Sequence, residues 1–393
     1  MSILFRKQCT YKSTGITMSK INNRGFVTPF QSQKIRDSYE KSLFPTRFSS
    51  WLTGKGHSEK KLNTIFNWWT YTISVLAVFF TGLVCLAYFQ LIAIQFLGVL
   101  LVLFSSRRIA AVVIHQAVHH RLSGNETIDM LIGELCSIIT FSQDFKSYQV
   151  DHCKLHHSPN TFATKNDPIL IFLERCGLTN GMDKSELILG LWSCIFSPFF
   201  HFKFIFKRAA HNFNIKHPVR LLFLVMFYTM LGAVLYNKNN VSGALLLFFG
   251  LILLYQISAL VEICSEHLWF GNTEERRNTE YFYADISWGR FCGLPYPTVK
   301  GNVFTWYLIN LFYHLPVRLF ILVGDLPQHD FHHRHPIVVE WINAIKLRND
   351  AVSTISENEP EYLEVWGLHN AISIVFEQLS QQAPVNQYAN NVA

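Results

Sequence analysis

Four apolar runs dominate this chain and occur along it as two closely spaced pairs. A membrane-spanning helix needs about 20 consecutive apolar residues, and these runs are of that size. Only a short turn near Gln90 separates the first pair, and only the polar segment 237–240 separates the second. We therefore predict an all-α integral membrane protein with four transmembrane helices arranged as two hairpins. The predicted spans are 65–89, 91–120, 219–236 and 241–263.

The second run differs from the others because no helix-breaking residue interrupts it before His120. A single helix over 91–120 would be about 45 Å long at 1.5 Å per residue, whereas the hydrocarbon core of a bilayer is about 30 Å thick. The far end of this helix is therefore expected to project from the membrane. That end carries Arg107, Arg108 and the first cluster of histidines.

The composition excludes several classes of protein. Charged residues make up 16% of the chain and hydrophobic residues 50%, whereas globular domains contain about 25% charged residues. Bulk intrinsic disorder and a nucleic-acid-binding module are excluded, since both need a more polar or more basic chain. The eight cysteines form no C-x-x-C pair, so neither a disulfide framework nor a thiolate metal site is predicted.

The apolar runs divide the chain into three predicted regions. Residues 1–64 are polar and basic, have no cleavable secretory signal, and are predicted to form a cytosolic or interfacial tail. Residues 65–345 form the predicted membrane domain, in which 187–206, broken by Pro198, is predicted to be interfacial or re-entrant and 303–322 to be interfacial. Residues 346–393 form a polar tail, with an amphipathic helix predicted over 361–381.

The basic residues are distributed unevenly around the spans. The connection between the first two spans has no lysine or arginine, and that between the last two has only Lys238. Because basic residues concentrate on the cytoplasmic side of a membrane, we predict that both termini and the long segment between the second and third spans are cytoplasmic.

Eleven of the 17 histidines fall in four short segments, all on the predicted cytoplasmic side. Two segments have the pattern H-x-x-x-H-H, one has H-x-x-H-H followed by His335, and one is a single histidine after the fourth span. Histidines at i and i+4 lie on one face of a helix, whereas an adjacent histidine points about 100° away and can either reach a second metal or contact the ligands of the first. The candidate ligands are His115, His119, His120, His152, His156, His157, His267, His329, His332 and His333.

The number and type of these side chains restrict the metal. Imidazole suits zinc, copper, iron and nickel, but one zinc ion is satisfied by three or four protein ligands. Nine or ten clustered histidines therefore predict two metal ions. Without a thiolate cluster an iron–sulfur centre is excluded, and two irons held by nitrogen ligands would support redox chemistry with O₂.

The order of these motifs resembles the membrane fatty acid desaturase/hydroxylase superfamily over roughly residues 65–340. The segment EHLWFG at 266–271 followed by LPQHDFHH is also similar to the alkane hydroxylase branch and to acyl-CoA desaturases. The resemblance implies four spans in two hairpins, a cytosolic helical cap, and a histidine-bound di-iron centre that uses O₂. It also implies a lipid or acyl substrate and a separate electron donor, namely a ferredoxin, a rubredoxin or a b-type cytochrome system. The membrane would be a bacterial inner membrane or the endoplasmic reticulum.

The ligand positions of this family carry over to nine of the ten candidate histidines, and His120 is the weaker match. Some desaturases have an asparagine four residues before the lone histidine, but here that residue is Ile263. Three acidic residues beside candidate ligands, Asp151, Glu266 and Asp330, are expected either to accept a hydrogen bond from a ligand histidine or to be solvated. For Asp167, after the second motif, a role at the centre and a role in an Asp-Pro turn are both open.

Three functions remain open from the sequence. We expect a desaturase, which removes two hydrogens from an acyl chain, and the alternative is a hydroxylase of alkanes or lipids on the same scaffold. A metal transporter or sensor with histidine-rich loops is the remote alternative. A transporter would need ionisable residues near the middle of the bilayer, and the four apolar runs have almost none there.

Overall fold

The computed structural model describes residues 25–60, 64–269, 282–336, 338–356 and 359–381. Parts of the predicted terminal tails, and residues 270–271 of the EHLWFG segment, lie outside these ranges. Most of the described chain is helical. The helices of four or more turns, and the shorter ones used below, are α1 (Pro29–Ser38), α2 (Thr46–Thr53), α3 (Trp68–Tyr88), α4 (Ile92–Val118), α5 (Glu126–Ile139), α6 (Phe145–Gln149), α7 (Pro168–Arg175), α8 (Lys184–Phe196), α9 (Pro198–Asn212), α10 (Pro218–Asn237), α11 (Val241–Ile263), α12 (Val303–Ile321), α13 (His329–Arg334), α14 (Ala344–Thr354) and α15 (Leu368–Gln381).

Within the described residues, four helices are long and apolar enough to cross a membrane, namely α3, α4, α10 and α11. Two bent pairs, α8 with α9 and α12 with the segment Leu326–Arg334, would raise the number to six if each pair were one span. The four predicted spans are therefore confirmed as helices. The predicted break at Pro198 is also present, since α8 and α9 meet there at 65°.

Close backbone approach explains how α3 and α4 pack. A Cβ atom added to Gly82 would lie 3.0 Å from the carbonyl oxygen of Gly98, and one added to Gly98 would lie 3.0 Å from that of Gly82. Small residues allow helices to approach closely in a membrane, where apolar side chains gain little from leaving lipid. This packing holds the second span, and the histidines at its end, against the first.

The turns between the paired helices lie at the same end of the molecule. The side-chain amide of Asn240, just before α11, donates to the carbonyl oxygen of Leu86 at 2.8 Å, and its side-chain oxygen accepts from Gln95 at 3.0 Å. The other ends of α4 and α11 lead to His115 and His267. The two tight turns and the candidate metal ligands are thus at opposite ends of the four helices.

Cysteine labelling tests which end faces the cytoplasm. Gln90→Cys and Lys238→Cys, at two exposed turn positions, are expected to react with a membrane-impermeant reagent from the non-cytoplasmic side, because of the basic-residue asymmetry. Lys216→Cys, at the opposite end of α10, is the control and should react only from the cytoplasm. The native cysteines are removed first. Reaction of Gln90→Cys and Lys238→Cys only from the cytoplasmic side would contradict the predicted topology.

The C-terminal region differs from the helix predicted over 361–381. Residues Glu364–Trp366 form a strand, β2, that pairs in parallel with β1 (Gly289–Phe291), and helix α15 begins only at Leu368. Gly367 between them has φ of 89°, which favours glycine and stops the helix from extending towards β2. Helix α15 buries Ala371, Val375 and Leu379, so it is amphipathic as predicted, but 361–367 was wrongly predicted as helix.

Candidate metal centre

The first histidine motif lies at the end of the long helix α4. This helix has 27 residues, about 40 Å at 1.5 Å per residue, so the predicted projection beyond a bilayer core is consistent with its length. Its segment Ile109–Ile114 is a π-helical turn, a feature frequent at functional sites. His115 follows this turn directly, and His119 lies one turn later, just after the last residue of the helix.

The second motif lies on a π-helical segment, Val150–His156, that continues α6. His152 and His156 belong to this segment, and His157 follows it. Because π geometry has more than four residues per turn, it changes the angles at which successive side chains leave the backbone. Both H-x-x-x-H-H motifs are thus beside or within irregular helix.

The other two histidine segments lie on elements after the fourth span. His267 follows α11, is fully buried, and pairs with Ser287 in an isolated antiparallel bridge. The third motif occupies the short helix α13, which carries His329, His332 and His333.

The fold brings nine of the ten candidate ligands together in two groups, in each of which the nitrogen atoms lie within 4.8 Å of one another. We call these the five-histidine group and the four-histidine group. The five-histidine group contains His115, His119, His152, His157 and His332. The four-histidine group contains His156, His267, His329 and His333 and is entirely buried.

His120 lies outside both groups. The backbone of His120 has φ of 57°, in the left-handed region, so the chain no longer follows the helical path of α4 and the side chain takes a different direction. Its Nε2 atom lies 2.8 Å from the side-chain nitrogen of Gln149 instead. His335, the additional histidine after the third motif, lies 2.9 Å from the hydroxyl of Tyr362 and is also outside both groups.

Several imidazole nitrogens in the groups have no hydrogen-bond partner among the described residues. Both ring nitrogens of His115 and of His267 are buried without a partner, as is Nε2 of His156. A buried polar atom without a partner costs free energy, so such atoms call for a ligand. Imidazole nitrogens are ligands for transition metals, and the donor set therefore fits metal ions.

Contacts between ring nitrogens point to the same conclusion. The Nε2 atoms of His329 and His333 are 3.0 Å apart, and those of His119 and His332 are 3.2 Å apart. Two nitrogens that bind one metal at about 2.1 Å and at a right angle are separated by about 3 Å. The observed spacings are those of neighbouring ligands of one ion.

A carboxylate orients one ligand of the four-histidine group. Asp167 begins helix α7 by accepting from the backbone N–H of Ile169, and its two oxygens lie 3.2 and 3.3 Å from Nδ1 of His156. A carboxylate only accepts, so Nδ1 carries the proton and Nε2 faces the group with a free lone pair. Burial alone would lower the pKa of His156, but the charge and hydrogen bond of Asp167, together with the charges of Glu266 and Glu262, raise it above the usual value of a histidine. Asp167 thus fills both roles left open by the sequence.

The family comparison covers the whole of this centre. The fatty acid desaturase family model matches residues 90–336, which is more than half of the chain and includes all ten candidate histidines. The chain belongs to the fatty acid desaturase family. Neither the curated proteins nor the solved structures gave a match. The resemblance seen in the sequence is confirmed, and family membership makes the protein an oxidoreductase of this class.

The carboxyl group of Glu266 lies beside the four-histidine group of this desaturase-family member. Its Oε1 atom lies 2.9 Å from Nε2 of His329 and 3.8 Å from Nε2 of His267, and its Oε2 atom has no partner among the described residues. Burial raises the pKa of Glu266. A carboxylate oxygen therefore stands beside this group, in a chain that has Ile263 where some desaturases have an asparagine.

The other two acidic residues that the sequence singled out have different partners. Asp151 accepts from the side-chain amide of Gln143 at 2.8 Å. Asp330, within the third motif, is held by Arg348 rather than by a histidine. Of the three acidic residues beside candidate ligands, only Glu266 is in contact with a histidine of the groups.

Aromatic side chains that the sequence did not single out form a wall of the centre. The ring of Phe162 lies 4.7 Å from that of His156 and 4.8 Å from that of His267, measured between centroids. The hydroxyl of Tyr283 donates to the backbone carbonyl of His157, and Tyr148 stacks on His152. No motif or spacing marks these residues, because they approach the groups only through the tertiary fold.

Proposed function

We propose that this protein is a membrane non-haem di-iron oxidase that desaturates a fatty-acyl or lipid chain with O₂ and two external electrons. The nine grouped histidines would hold two irons, one in each group. The observation that supports this most strongly is the division of nine buried or half-buried imidazoles into two sets of nitrogen donors. Membership of the fatty acid desaturase family supports the same class of reaction.

The two groups offer the irons different surroundings. The four-histidine group is fully buried, whereas His119, His157 and His332 of the five-histidine group are half-buried. Iron in such a centre supplies the oxidising power that removes hydrogen from an unactivated C–H bond. The protein keeps the proton on Nδ1 of His156 through Asp167, places the Glu266 carboxylate beside the buried group, and excludes water with Phe162.

The exposure of the five-histidine group bears on the supply of electrons. Electrons from a separate donor would reach the centre where its ligands meet solvent, which is the side of His119, His157 and His332. We infer a ferredoxin, a rubredoxin or a b-type cytochrome system as the donor, with the centre and both termini on the cytoplasmic side. The four spans would form two hairpins beneath a cytosolic cap, and the boundaries at 65 and 345 stay predictions.

The proposed reaction balances as a four-electron reduction of O₂. The acyl chain gives up two hydrogens, that is two electrons and two protons, and forms a C=C bond. Two further electrons from the donor and two protons from solvent complete the conversion of O₂ to two waters.

Lipid profiling of an expression host tests this proposal. Cells that carry the gene are expected to contain acyl chains with a new double bond, while cells with an equally expressed His156→Ala variant are not. Chain-hydroxylated lipids or alcohols instead of alkenes would replace the desaturase with the hydroxylase alternative. The absence of both products, with a functional electron donor co-expressed, would contradict the proposed activity.

A further inference from the structure

Four buried charged side chains form a chain of ion pairs beside the third histidine motif. The guanidinium of Arg348 on α14 binds Asp330 on α13 and Glu364 on β2, and Glu364 in turn binds Lys55, which follows α2. The side chains of all four are at most 1% exposed. Two acids and two bases make this network electrically balanced, and none of its members contacts a histidine of the groups among the described contacts.

Arg348 binds the carboxylate of Asp330 through a bidentate contact. The Nε atom of Arg348 lies 2.9 Å from Oδ1 of Asp330, and its Nη2 atom lies 2.7 Å from Oδ2. A planar guanidinium that meets a carboxylate in this way fixes orientation as well as distance. Oδ1 also accepts from the backbone N–H of Phe331 at 2.8 Å. Both oxygens of the carboxylate are therefore bound by Arg348, and one of them is bound by the backbone as well.

The surroundings of Arg348 are shaped to hold this guanidinium. It lies over the rings of Phe291 and Tyr362, at 5.1 and 5.0 Å from their centroids. A Cβ atom added to Gly289 would lie 2.6 Å from Nη2 of Arg348, so any other residue at this position of β1 would displace the side chain. The arginine is therefore confined by strand, rings and carboxylate together.

Helix α13 is the element that such a contact can control. It has only six residues, and a helix this short has little stability of its own, so tertiary contacts set its rotation. His329 and His333 point into the four-histidine group, and His332 points into the five-histidine group. A rotation of this one helix would move ligands of both groups together.

We propose that Arg348 is a positioning residue that fixes the rotation of α13, through Asp330, and thereby the geometry of both metal groups. The outer pair, Lys55 with Glu364, joins the segment after α2 to this arrangement without touching α13. The inference rests on the proposed di-iron centre, since it concerns the placement of ligands for two metals.

Two double variants with the same change in charge separate positioning from general stability. Lys55→Met with Asp330→Asn removes the charged, bidentate contact to α13, since an amide offers Arg348 only one acceptor oxygen, and leaves the balanced pair Arg348–Glu364. Lys55→Met with Glu364→Gln is the matched control, because it leaves the balanced pair Arg348–Asp330. Iron content, iron affinity by chelator competition, the Mössbauer spectrum and the thermal unfolding midpoint are measured on the purified full-length proteins, together with the wild type.

The variant that loses Asp330 is expected to bind iron at least ~10-fold more weakly, or to show altered quadrupole splittings, as for other changes around metal ligands. The control is expected to keep the iron content and spectrum of the wild type. Equal iron content and equal spectra in the two double variants would overturn the inference. A wild type with fewer than two irons would overturn the proposed function as well, so the two failures are distinguishable.

Arg348→Lys decides the case if the Asp330 double variant does not fold. It keeps all four charges but replaces the guanidinium, and with it the bidentate contact, with a single ammonium group. We expect a folded protein whose Mössbauer spectrum differs from that of the wild type. A spectrum identical to that of the wild type would show that the bidentate contact between Arg348 and Asp330 does not position the ligands.

Discussion

Replacing His267 with alanine is expected to abolish turnover and to remove iron from the four-histidine group. His267 stands alone in the sequence, but both of its ring nitrogens are buried without a hydrogen-bond partner among the described residues, and one belongs to this group. Changes around metal ligands alone cost about 10–100-fold in metal affinity or activity, so loss of a ligand should exceed ~100-fold in activity. Iron analysis and turnover of purified His267→Ala, compared with His156→Ala, measure the effect.

His120→Asn is the control for this prediction. His120 directly follows the ligand candidate His119, but its side chain lies outside both groups. Asparagine tolerates the left-handed backbone at this position better than most residues, so the fold should be kept. We expect iron content and turnover close to those of the wild type. Normal iron content in His267→Ala, or loss of iron in His120→Asn, would contradict the proposed ligand set.

Asp167→Asn is expected to weaken iron binding and activity by about 10–100-fold, the range found when the carboxylate partner of a metal-bound histidine is changed. Asparagine keeps a side-chain oxygen that can begin helix α7, but it removes the charge that holds the proton on Nδ1 of His156. The pKa of His156 should fall as a result, since Asp167 is the main group that raises it against the effect of burial. Iron affinity, measured by chelator competition, is the readout.

Asp183→Asn is the matched control for Asp167→Asn. Asp183 is also the residue just before a helix, α8, where it forms a capping box with Glu186, but it is exposed and belongs to neither group. Its replacement should leave iron affinity unchanged. Equal effects of the two substitutions would show that Asp167 acts only through the start of its helix.

The spans could be predicted from the sequence because hydrophobic length is a local property. The predicted bounds of the four spans agree with the helices to within three residues. The largest difference is at the first span, which was predicted to begin at 65 and begins at Trp68, and the fourth span has the predicted bounds, Val241–Ile263. The bilayer sets this length, so no knowledge of tertiary packing is needed.

The candidate ligands could also be predicted from the sequence. Their division between the two groups could be predicted only in part. The rule that adjacent histidines point in different directions holds for His156 and His157, and for His332 and His333, which fall in different groups. It does not apply to His119 and His120, because helix α4 ends at Val118 and the backbone turns at His120. The spacing of a motif does not reveal where its helix ends.

The contacts that hold α13 were beyond prediction for a different reason. Lys55 lies far in the sequence from Arg348 and Glu364, and all three lie in segments predicted to be polar tails. Strand β2 has only three residues, too short for its alternation to be recognised, and it pairs with a strand that is equally short. Only the tertiary fold shows that these charges are buried together.

Metal analysis of the purified, active wild-type protein tests the central claim most directly. Two groups of nitrogen donors predict an iron-to-protein ratio near two, with activity that falls in proportion when iron is removed by a chelator and returns when iron is added back. Fully active protein with stoichiometric zinc, or with no more than one iron per chain, would contradict the account.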